Sequence, residues 1–420
     1  MSKYEYGLVG GALGHSHSPR IHRALGDYGY ELLPMDEAAF DRFFTERDFL
    51  GVNVTIPYKK KVIPYLDGMT ERARTIGSVN TVVCRDGKLY GENTDYAGFL
   101  YVAKRANIDF AGKKVLVLGE GGASATAVAA ARDAHAREVL TVGRHGKINY
   151  TNVYEQKDVD IIVNTTPVGM YPACGERLID LSRFDGLSGV LDVIYNPLRT
   201  ALIFDAAERG IPCSSGLPML VSQAVYANEF FFGRPLPEGK TEEVLAAIER
   251  ERTNIVLIGM PGSGKSSIGR AAADLLGREF VDSDEEIEKK AGLHPSEIIA
   301  SRGENAFREI ETEVLSELGK VGGRVISCGG GVVVREENYR HLKQNGDIFY
   351  IKRALSSLAG EGRPLSRGAG AIERLYAARR EKYERFADFE IENNKSVEAA
   401  AKKIAQNFAS GSLQNRKLNI

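Results

Sequence analysis

Two strand-like runs that each lead into a glycine-rich turn and then a helix constrain the fold of this 420-residue chain more than any other feature. Residues 115–118 precede a turn that begins at Gly119, and residues 255–258 precede a turn that begins at Gly259. This sequence of elements opens a βαβ unit, in which the helix N-terminus offers free N–H groups to phosphate. Finding it twice predicts an α/β protein with two nucleotide-binding units on parallel sheets.

The charge balance excludes several classes of function. Lys and Arg total 55 against 56 for Asp and Glu, so the chain has no overall positive charge that would attract nucleic acid or a membrane surface. No apolar run approaches the ~18 residues needed to span a bilayer. Four cysteines lie far apart at positions 84, 174, 213 and 328, which favours a reducing compartment. We therefore expect a cytoplasmic protein with small-molecule substrates and no nucleic-acid or membrane partner, and the oligomeric state stays open.

The second glycine turn is a complete P-loop, with Gly259 and Gly264 at the required spacing before Lys265 and Ser266. In such a loop backbone N–H groups hold the phosphates, the lysine reaches the outer phosphates and the hydroxyl ligates Mg²⁺. ATP and Mg²⁺ are thus the expected cofactors of this half. The chain after residue 252 is too short for most motor machinery, so a small-molecule kinase is favoured. The residues expected around the nucleotide are Gly262, Ser263, Gly264 and Ser267.

The first glycine turn matches G-x-G-G-A, a variant of the dinucleotide fingerprint, through Gly119, Gly121, Gly122 and Ala123. The next strand-like run, residues 138–142, leads into Gly143 and Arg144. An enzyme that uses NAD usually has an acidic residue at this point, whereas an arginine suits a 2′-phosphate. The sequence therefore favours NADPH as the coenzyme of the first half.

Unusual polar clusters occupy the hundred residues before this turn. Hydroxyls at Ser16 and Ser18 are suited to a carboxylate, Asn53 and Thr55 share one face of a strand, and Asn80 follows a turn. Residues 91–95 end a predicted hairpin. Each cluster taken alone is also compatible with ordinary turn chemistry.

Together these clusters resemble shikimate dehydrogenase, and the resemblance spans residues 1–250. The matching blocks, in order, are HSHSP, NVTIPYK, GSVNT, GENTD, GEGGAS, NTTPVGM, DVIYNP and GLPMLVSQ. The resemblance implies NADPH-dependent reduction of 3-dehydroshikimate to shikimate, with Lys59 and Asp95 as the catalytic pair. It implies that the substrate contacts Ser16, Ser18, Asn53, Thr55, Asn80 and Gln223, and that Tyr195 and Gly216 border the coenzyme.

Two departures from the family pattern bear on the coenzyme. The family often has Asn-Arg-Thr where this chain has Gly143-Arg144-His145, and Ala125 stands where an arginine is common. The contact with a 2′-phosphate then depends on Arg144, and we expect it to be weaker than usual. A quinate/shikimate dehydrogenase that works oxidatively with NAD is the alternative.

The second half resembles shikimate kinase across residues 253–410, through the P-loop, the run VDSD, GExxFRxxE, CGGG and GRPL. The resemblance implies that Arg308 and Arg379 hold the shikimate carboxylate, and that Asp284 accepts the hydroxyl proton. It further implies roles for Gly330 and Gly331 at the ring hydroxyls, Asp282 at Mg²⁺ and Arg363 at the transferring phosphate. The segment before Arg363 is shorter than usual and lacks basic residues, which predicts a shortened lid.

These observations predict a bifunctional chain in which a Rossmann-type dehydrogenase precedes a P-loop kinase. The expected boundaries are 1–252 for the dehydrogenase, with its substrate part at 1–100 and 215–252 and its dinucleotide part at 101–214, and 253–420 for the kinase. A second alternative is that one half is a non-catalytic regulatory module, against which the retained catalytic residues argue.

Overall fold

The computed structural model describes residues 4–14, 16–358 and 370–410, and within these ranges the chain forms three sheets with helices around them. The strands are β1 (Tyr4–Gly10), β2 (Tyr30–Pro34), β3 (Phe49–Val54), β4 (Gly68–Met69), β5 (Thr81–Arg85), β6 (Lys88–Glu92), β7 (Lys114–Leu118), β8 (Glu138–Val142), β9 (Ile161–Asn164), β10 (Gly189–Asp192), β11 (Cys213–Ser214), β12 (Asn254–Ile258), β13 (Phe280–Asp282), β14 (Val325–Ser327), β15 (Gly346–Lys352) and β16 (Phe389–Glu392). The helices are α1 (Ser18–Leu25), α2 (Glu37–Glu46), α3 (Glu71–Ile76), α4 (Thr94–Arg105), α5 (Gly122–Asp133), α6 (Ala201–Glu208), α7 (Leu217–Phe232), α8 (Lys240–Arg252), α9 (Lys265–Leu276), α10 (Ser283–Ala291), α11 (Pro295–Arg302), α12 (Glu304–Lys320), α13 (Glu337–Lys343), α14 (Ala371–Phe386) and α15 (Val397–Ser410). The predicted α/β class is confirmed.

The first sheet has the order β2-β1-β3-β5-β6-β4 and is mixed, since β5 runs antiparallel to both β3 and β6. Strands β1 and β3 are parallel and buried along most of their length, as expected where both faces of parallel strands are covered. Phe40 and Phe44 of α2 pack with Phe49 and Tyr58 in the core on one face. The carboxyl ends of β1 and β3 consequently open at one edge of the sheet, where α/β proteins bind ligands.

The second sheet is parallel, in the order β11-β10-β9-β7-β8. Val115 and Val117 of β7 pack into the core on one face, and Leu116 and Leu118 pack into the core on the other. Strand β7 pairs with β8 on one side and with β9 on the other, so the strand order reverses at β7. Ligands of doubly wound sheets bind at such a reversal.

The third sheet is also parallel, with the order β13-β14-β12-β15-β16. Ile255 and Leu257 of β12 face one core, and Val256 and Ile258 face the core on the opposite side. Because β12 has neighbours on both sides, its carboxyl end lies at the centre of the edge that carries the P-loop.

A single residue, Thr253, separates α8 from β12, so the third unit follows the first two without a linker. The backbone N–H of Leu198 donates to Asn345 Oδ1 at 2.8 Å, and that of Arg199 donates to the Gln344 carbonyl at 3.0 Å. Arg278, just before β13, donates to the Thr253 carbonyl at 2.6 Å. These contacts all lie at the amino ends of the strands of the third sheet, away from its P-loop edge.

A buried group of charges reinforces the same junction. Lys343, which is 0% exposed, lies 2.5 Å from Asp388 and 3.8 Å from Asp347, measured from Nζ to the carboxylate oxygens. Arg199 of the second unit lies 3.8 Å from Asp347, and its Nη1 donates to the Lys343 carbonyl at 2.9 Å. Buried charges are tolerated when they are paired and hydrogen-bonded, so this group requires the two units to stay docked.

Helix α4 joins the first and second units, since it packs against both α5 and α7, and α7 in turn contacts β3 and β5. Residue 101, the expected start of the dinucleotide part, lies inside this helix. Among the described residues, no helix is both long enough and apolar enough to cross a membrane.

Candidate active sites

A cleft of about 1250 Å³ lies between the carboxyl ends of β1 and β3 and the glycine turn after β7. It contains all of the residues predicted to contact the substrate of the first half. The predicted residues that line it are Ser16, Ser18, Asn53, Thr55, Lys59, Asn80, Asp95, Ala123, Tyr195, Gly216 and Gln223. The fold thus gathers into one cavity residues that are more than two hundred positions apart in the sequence.

Lys59 and Asp95 form a close ion pair in this cleft, with 2.5 Å between Nζ and Oδ2. Asp95 lies in the first turn of α4. Asn93 caps the start of this helix, because its side chain accepts a hydrogen bond from the N–H of Tyr96. The side chains of Lys59 and Asp95 are 22% and 15% exposed, so the pair is partly buried but remains accessible from the cleft. An ammonium group held in this way can give a proton to a carbonyl oxygen and stabilise its developing charge.

Two amide side chains beside this pair are fixed by hydrogen bonds. Asn53 donates from Nδ2 to Thr81 Oγ1 at 3.0 Å and accepts from the Tyr30 hydroxyl at 2.8 Å. Asn80 accepts at Oδ1 from the backbone N–H of Thr94 at 2.7 Å. Their orientation is therefore set before any ligand binds, which is what recognition of hydroxyl groups on a ring requires.

The support behind Asn53 is an uncharged aromatic stack. Tyr30 stacks on His22 with 3.7 Å between the ring centroids. Burial lowers the pKa of His22 to about 3, so this imidazole is neutral at physiological pH. Sequence reasoning missed Tyr30, and its position next to Asn53 gives no signal in a single sequence.

Ser16 and Ser18 lie together in the wall of the same cleft. The Ser16 hydroxyl donates to Ser18 Oγ at 3.1 Å and accepts from the Ser18 N–H at 3.2 Å. Ser18 is also the first residue of α1, whose N-terminus favours a negative charge. This arrangement suits a carboxylate.

The turn after β7 fits the pyrophosphate of a dinucleotide. Gly119 has φ +114°, and α5 begins at Gly122 with no side chain capping its free N–H groups. A Cβ atom at Gly121 or at Gly122 would meet nothing within 4 Å, so the approach to these N–H groups is open. Helix N-termini of this form bind phosphate groups.

The remaining predicted coenzyme residues surround this turn. Arg144 is exposed two residues after β8. Gly216 directly precedes α7, and a Cβ atom there would collide with the backbone of Val193. The Tyr195 ring lies 6.0 Å from the His17 ring across the cleft.

The P-loop residues fit the phosphates of ATP. Gly262 and Gly264 have φ of +85° and +91°, values that a side chain would strain, and α9 begins at Lys265 without a side-chain cap. Lys265 Nζ donates to the carbonyls of Gly259 and Met260 at 3.0 Å. Ser263 is buried in the loop, and Ser267 is exposed in the first turn of α9.

Oxygen donors suitable for Mg²⁺ meet beside this loop. The Ser266 hydroxyl donates to Asp282 Oδ2 at 2.7 Å and lies 3.2 Å from Ser327 Oγ. A hydroxyl and a carboxylate supply part of an octahedral shell that phosphate and water complete in nucleotide enzymes. The side chains of Ser266 and Asp282 therefore fit the metal expected from the sequence.

Two arginines flank the glycine segment 329–331. Arg308 is 4% exposed, and a Cβ atom at Gly331 would collide with its guanidinium group. Arg379 Nη1 donates to the Gly330 carbonyl at 3.0 Å. The structure thus brings the two arginines to one glycine segment, although they lie on different helices, α12 and α14.

Asp284 faces the same segment, because a Cβ atom at Gly329 would lie 2.8 Å from its Oδ1. Burial, followed by the neighbouring Asp282 carboxylate, raises the pKa of Asp284 above its usual value of 3.8. A raised pKa makes a carboxylate a better proton acceptor while it is ionised.

Sequence reasoning missed the partners of Arg308. Its Nη1 donates to Glu311 Oε2 at 2.7 Å, and its Nη2 donates to Glu304 Oε1 at 2.9 Å. The two glutamates lie four residues before and three residues after Arg308, and such residues share a helix face. That spacing was the available signal. Arg363 and most of the segment before it lie outside the described residues, as does His15.

Arg252, the last residue of α8, was also missed although it lines the dehydrogenase-like cleft. Its Nη2 donates to Asn196 Oδ1 at 2.8 Å, and its Nη1 makes no hydrogen bond to any residue that the structure describes. Residues 320–323 of the third unit line the same wall, and a Cβ atom at Gly322 would collide with the Arg252 carbonyl. The third unit therefore completes the wall of a cleft that belongs to the first two.

Comparison with known proteins identifies a family for each part of the chain. Residues 8–82 match the family model of the shikimate dehydrogenase substrate binding domain, and residues 261–409 match that of shikimate kinase. The NADP(+)-dependent shikimate dehydrogenase of Clostridium perfringens strain SM101 is 35% identical over 260 residues, which cover 57% of this chain and 96% of that protein.

Solved structures give the same family for the N-terminal part of the chain. A chorismate mutase/shikimate 5-dehydrogenase fusion protein from Clostridium acetobutylicum is 33% identical, with a TM-score of 0.56 over 59% of this chain and 98% of that one. Shikimate 5-dehydrogenase from Thermus thermophilus, solved with NADP(H) and shikimate, is 29% identical, with a TM-score of 0.53 over 58% of this chain and 99% of that one. Over its N-terminal part the chain belongs to the shikimate dehydrogenase family, its C-terminal part is a shikimate kinase domain, and the protein is thus a bifunctional enzyme of the shikimate pathway.

Proposed function

We propose that the protein catalyses two consecutive reactions on one ring. The N-terminal part reduces 3-dehydroshikimate to shikimate with NADPH, and the C-terminal part transfers a phosphoryl group from ATP to that shikimate, giving shikimate 3-phosphate. The observation that carries the proposal is that one cleft holds both the Lys59–Asp95 pair and Ala123, in the first turn of α5, whose N-terminus has no side-chain cap. The proposed units are residues 1–252, with a dinucleotide part at 101–214, and residues 253–420.

In the reduction, NADPH supplies the hydride when it is bound. Ser16 and Ser18 hold the substrate carboxylate, and Asn53, Thr55, Asn80 and Gln223 hold its hydroxyls. Lys59 then lies at the ketone, where its ammonium group stabilises the negative charge that develops on oxygen and donates a proton to it. Asp95, 2.5 Å away, holds the Lys59 ammonium group in position.

In the phosphorylation, the substrate carboxylate pairs with Arg308 and Arg379. Glu304 and Glu311 hold the Arg308 guanidinium in place, since each accepts a hydrogen bond from it. Asp284 accepts the proton of the attacking hydroxyl. Lys265 holds the phosphate oxygens, Ser266 and Asp282 hold Mg²⁺, and Arg363 contributes a positive charge to the transferring group.

We also propose a cytoplasmic location. The support for it is chemical: all four cysteines are free thiols, which persist in a reducing compartment.

An assay of the full chain tests the proposal. With 3-dehydroshikimate and NADPH alone, NADPH should be oxidised and shikimate should accumulate; when ATP and Mg²⁺ are added, shikimate 3-phosphate should replace it. Quinate with NAD⁺, assayed in parallel, tests the oxidative alternative. Failure to oxidise NADPH, or phosphorylation of some other acceptor in preference to shikimate, would contradict the assignment.

A further inference from the structure

A carboxylate occupies an unexpected position in the coenzyme subsite. Glu120, the second residue of the glycine turn, lies over Gly143, which directly follows β8. The three atoms nearest to a Cβ built on Gly143 are the carboxyl carbon and both oxygens of Glu120, and all of them would collide with it. The Glu120 carboxylate therefore fills the space that a side chain of residue 143 would occupy.

This space has a defined role in dinucleotide-binding folds. The residue that follows the second strand, when it is acidic, binds the ribose 2′-hydroxyl of NAD. Here the chain has glycine at that point, but β7 and β8 are adjacent and parallel, with Leu118 opposite Val142. Their carboxyl ends lie side by side, so the turn after β7 can deliver a carboxylate to the place where β8 normally provides one.

Arg144 lies in the same neighbourhood and carries the opposite charge. Arg144 directly follows Gly143, and Glu120 Oε1 would also lie 3.5 Å from a Cβ built on Gly146, so the carboxylate lies beside the segment that carries Arg144. Glu120 and Arg144 are both exposed, and within the described residues no ion pair joins them. A 2′-phosphate bound here would meet a cation and an anion together.

We propose that Glu120 determines coenzyme specificity by accepting hydrogen bonds from the adenosine ribose hydroxyls, so that the dehydrogenase binds NADH as well as NADPH. This inference rests on the proposed reduction. Arg144 favours the 2′-phosphate and Glu120 opposes it, because the carboxylate repels a dianion and pairs well with a diol. The preference for NADPH is consequently narrower than Arg144 alone would give.

Direct binding of each coenzyme to the full chain, followed by the fluorescence of NADH and of NADPH, tests the proposal without turnover. Glu120→Gln should raise the preference for NADPH over NADH by about tenfold, through tighter NADPH binding and weaker NADH binding. Arg144→Ala should move the preference in the opposite direction. Glu138→Gln is the matched control, since it removes one exposed carboxylate at the amino end of β8, the end far from Gly143. It should leave the ratio of NADPH affinity to NADH affinity unchanged.

Thermal unfolding of each variant serves as its folding check, because it reports on the unit that carries the substitution. An unchanged ratio in Glu120→Gln, or equal weakening of both coenzymes, would overturn the role of Glu120 while leaving the proposed reduction intact. A wild-type chain that binds neither coenzyme would overturn the reduction and this inference together.

Discussion

The two lysines that we propose as catalytic lie in separate sites, since Lys59 pairs with Asp95 and Lys265 contacts the carbonyls of its own loop. Lys59→Ala should therefore lower dehydrogenase turnover at least about a hundredfold and leave kinase turnover nearly unchanged, because it removes the proton donor of one site only. Lys265→Ala should do the reverse. Both activities are measured on each purified variant, with Lys60→Ala, an exposed neighbour, as control. Equal loss of both activities in a folded variant would contradict two independent sites.

The pH dependence of the kinase should report Asp284. Because burial and then Asp282 raise its pKa, Asp284 becomes protonated at a higher pH than an ordinary aspartate as the pH falls. A protonated carboxyl cannot accept the hydroxyl proton, so kcat/KM for shikimate should fall with decreasing pH along a limb centred above 3.8. The measurement is kcat/KM between about pH 4 and pH 8 at saturating ATP. A limb at or below the ordinary value, or an active Asp284→Asn enzyme, would remove Asp284 from this role.

At the scale of residues, the sequence predicts contacts between residues that are close together along the chain. It does not predict contacts between residues that are far apart along it. Glu304 and Glu311 follow from helical spacing around Arg308, and the P-loop residues are contiguous. The position of Glu120 over Gly143 depends on the pairing of two strands and could not be read from the chain. Lys59 and Asp95 became a predicted pair only through a family resemblance.

Among the elements, those with strong local signals are predicted to within about a residue. The run 115–118 is β7 (Lys114–Leu118), the run 138–142 is β8, and the run 255–258 is β12 (Asn254–Ile258). Continuous apolar runs and glycine turns dictate these elements locally. Helix α4 differs, because it packs against elements of both units, and a boundary read from sequence at residue 101 falls within it.

The contact between α8 and the loop at 320–323 yields a test at the scale of elements. Gly322→Ala should lower the free energy of unfolding by about 1–3 kcal/mol, because its Cβ would collide with a backbone carbonyl that can move only together with the end of α8. It should also raise KM for 3-dehydroshikimate, since Arg252 lines that cleft. Thermal unfolding and dehydrogenase kinetics measure the two effects. Gly186→Ala, where a Cβ meets nothing within 4 Å, should change neither, and an equally stable and active Gly322→Ala would show that this contact is unimportant.

In the whole molecule the two active sites face different directions. The kinase residues follow the carboxyl ends of β12, β13 and β14, whereas the third unit contacts the dehydrogenase through residues that precede β13, β14 and β15. A five-residue strand is about 16 Å long, so the length of a strand separates the P-loop, at one edge of the sheet, from the wall of the dehydrogenase cleft at the other edge. A product released from the cleft would therefore have to travel around the third unit to reach the P-loop.

Transfer of shikimate between the sites should consequently occur through solvent. With labelled 3-dehydroshikimate and excess unlabelled shikimate, the label in shikimate 3-phosphate should be diluted in proportion to the added pool. A mixture of Lys59→Ala and Lys265→Ala chains, each at the concentration of the wild-type chain, provides the matched control. It holds the same number of active sites of each kind, but on separate molecules. The lag before shikimate 3-phosphate forms should be as long in the mixture as in wild type. An undiluted label or a shorter lag in wild type would show direct transfer.

The order of the units follows from the sequence, but their docking does not. Leu198, Asn345, Arg199 and Lys343 belong to no motif, and the contacts among them arise only when folded surfaces meet. Buried ion pairs of this kind carry no pattern in a single chain.

Attachment through the amino-terminal edge of the kinase sheet has a consequence for how such chains arise. The kinase residues that the structure describes around the P-loop lie at the opposite edge of that sheet, so another enzyme can be fused behind it without redesign of the kinase centre. What the fusion then secures is stoichiometry: every translated polypeptide delivers one reductase and one kinase, and the ratio of the two cannot drift with expression.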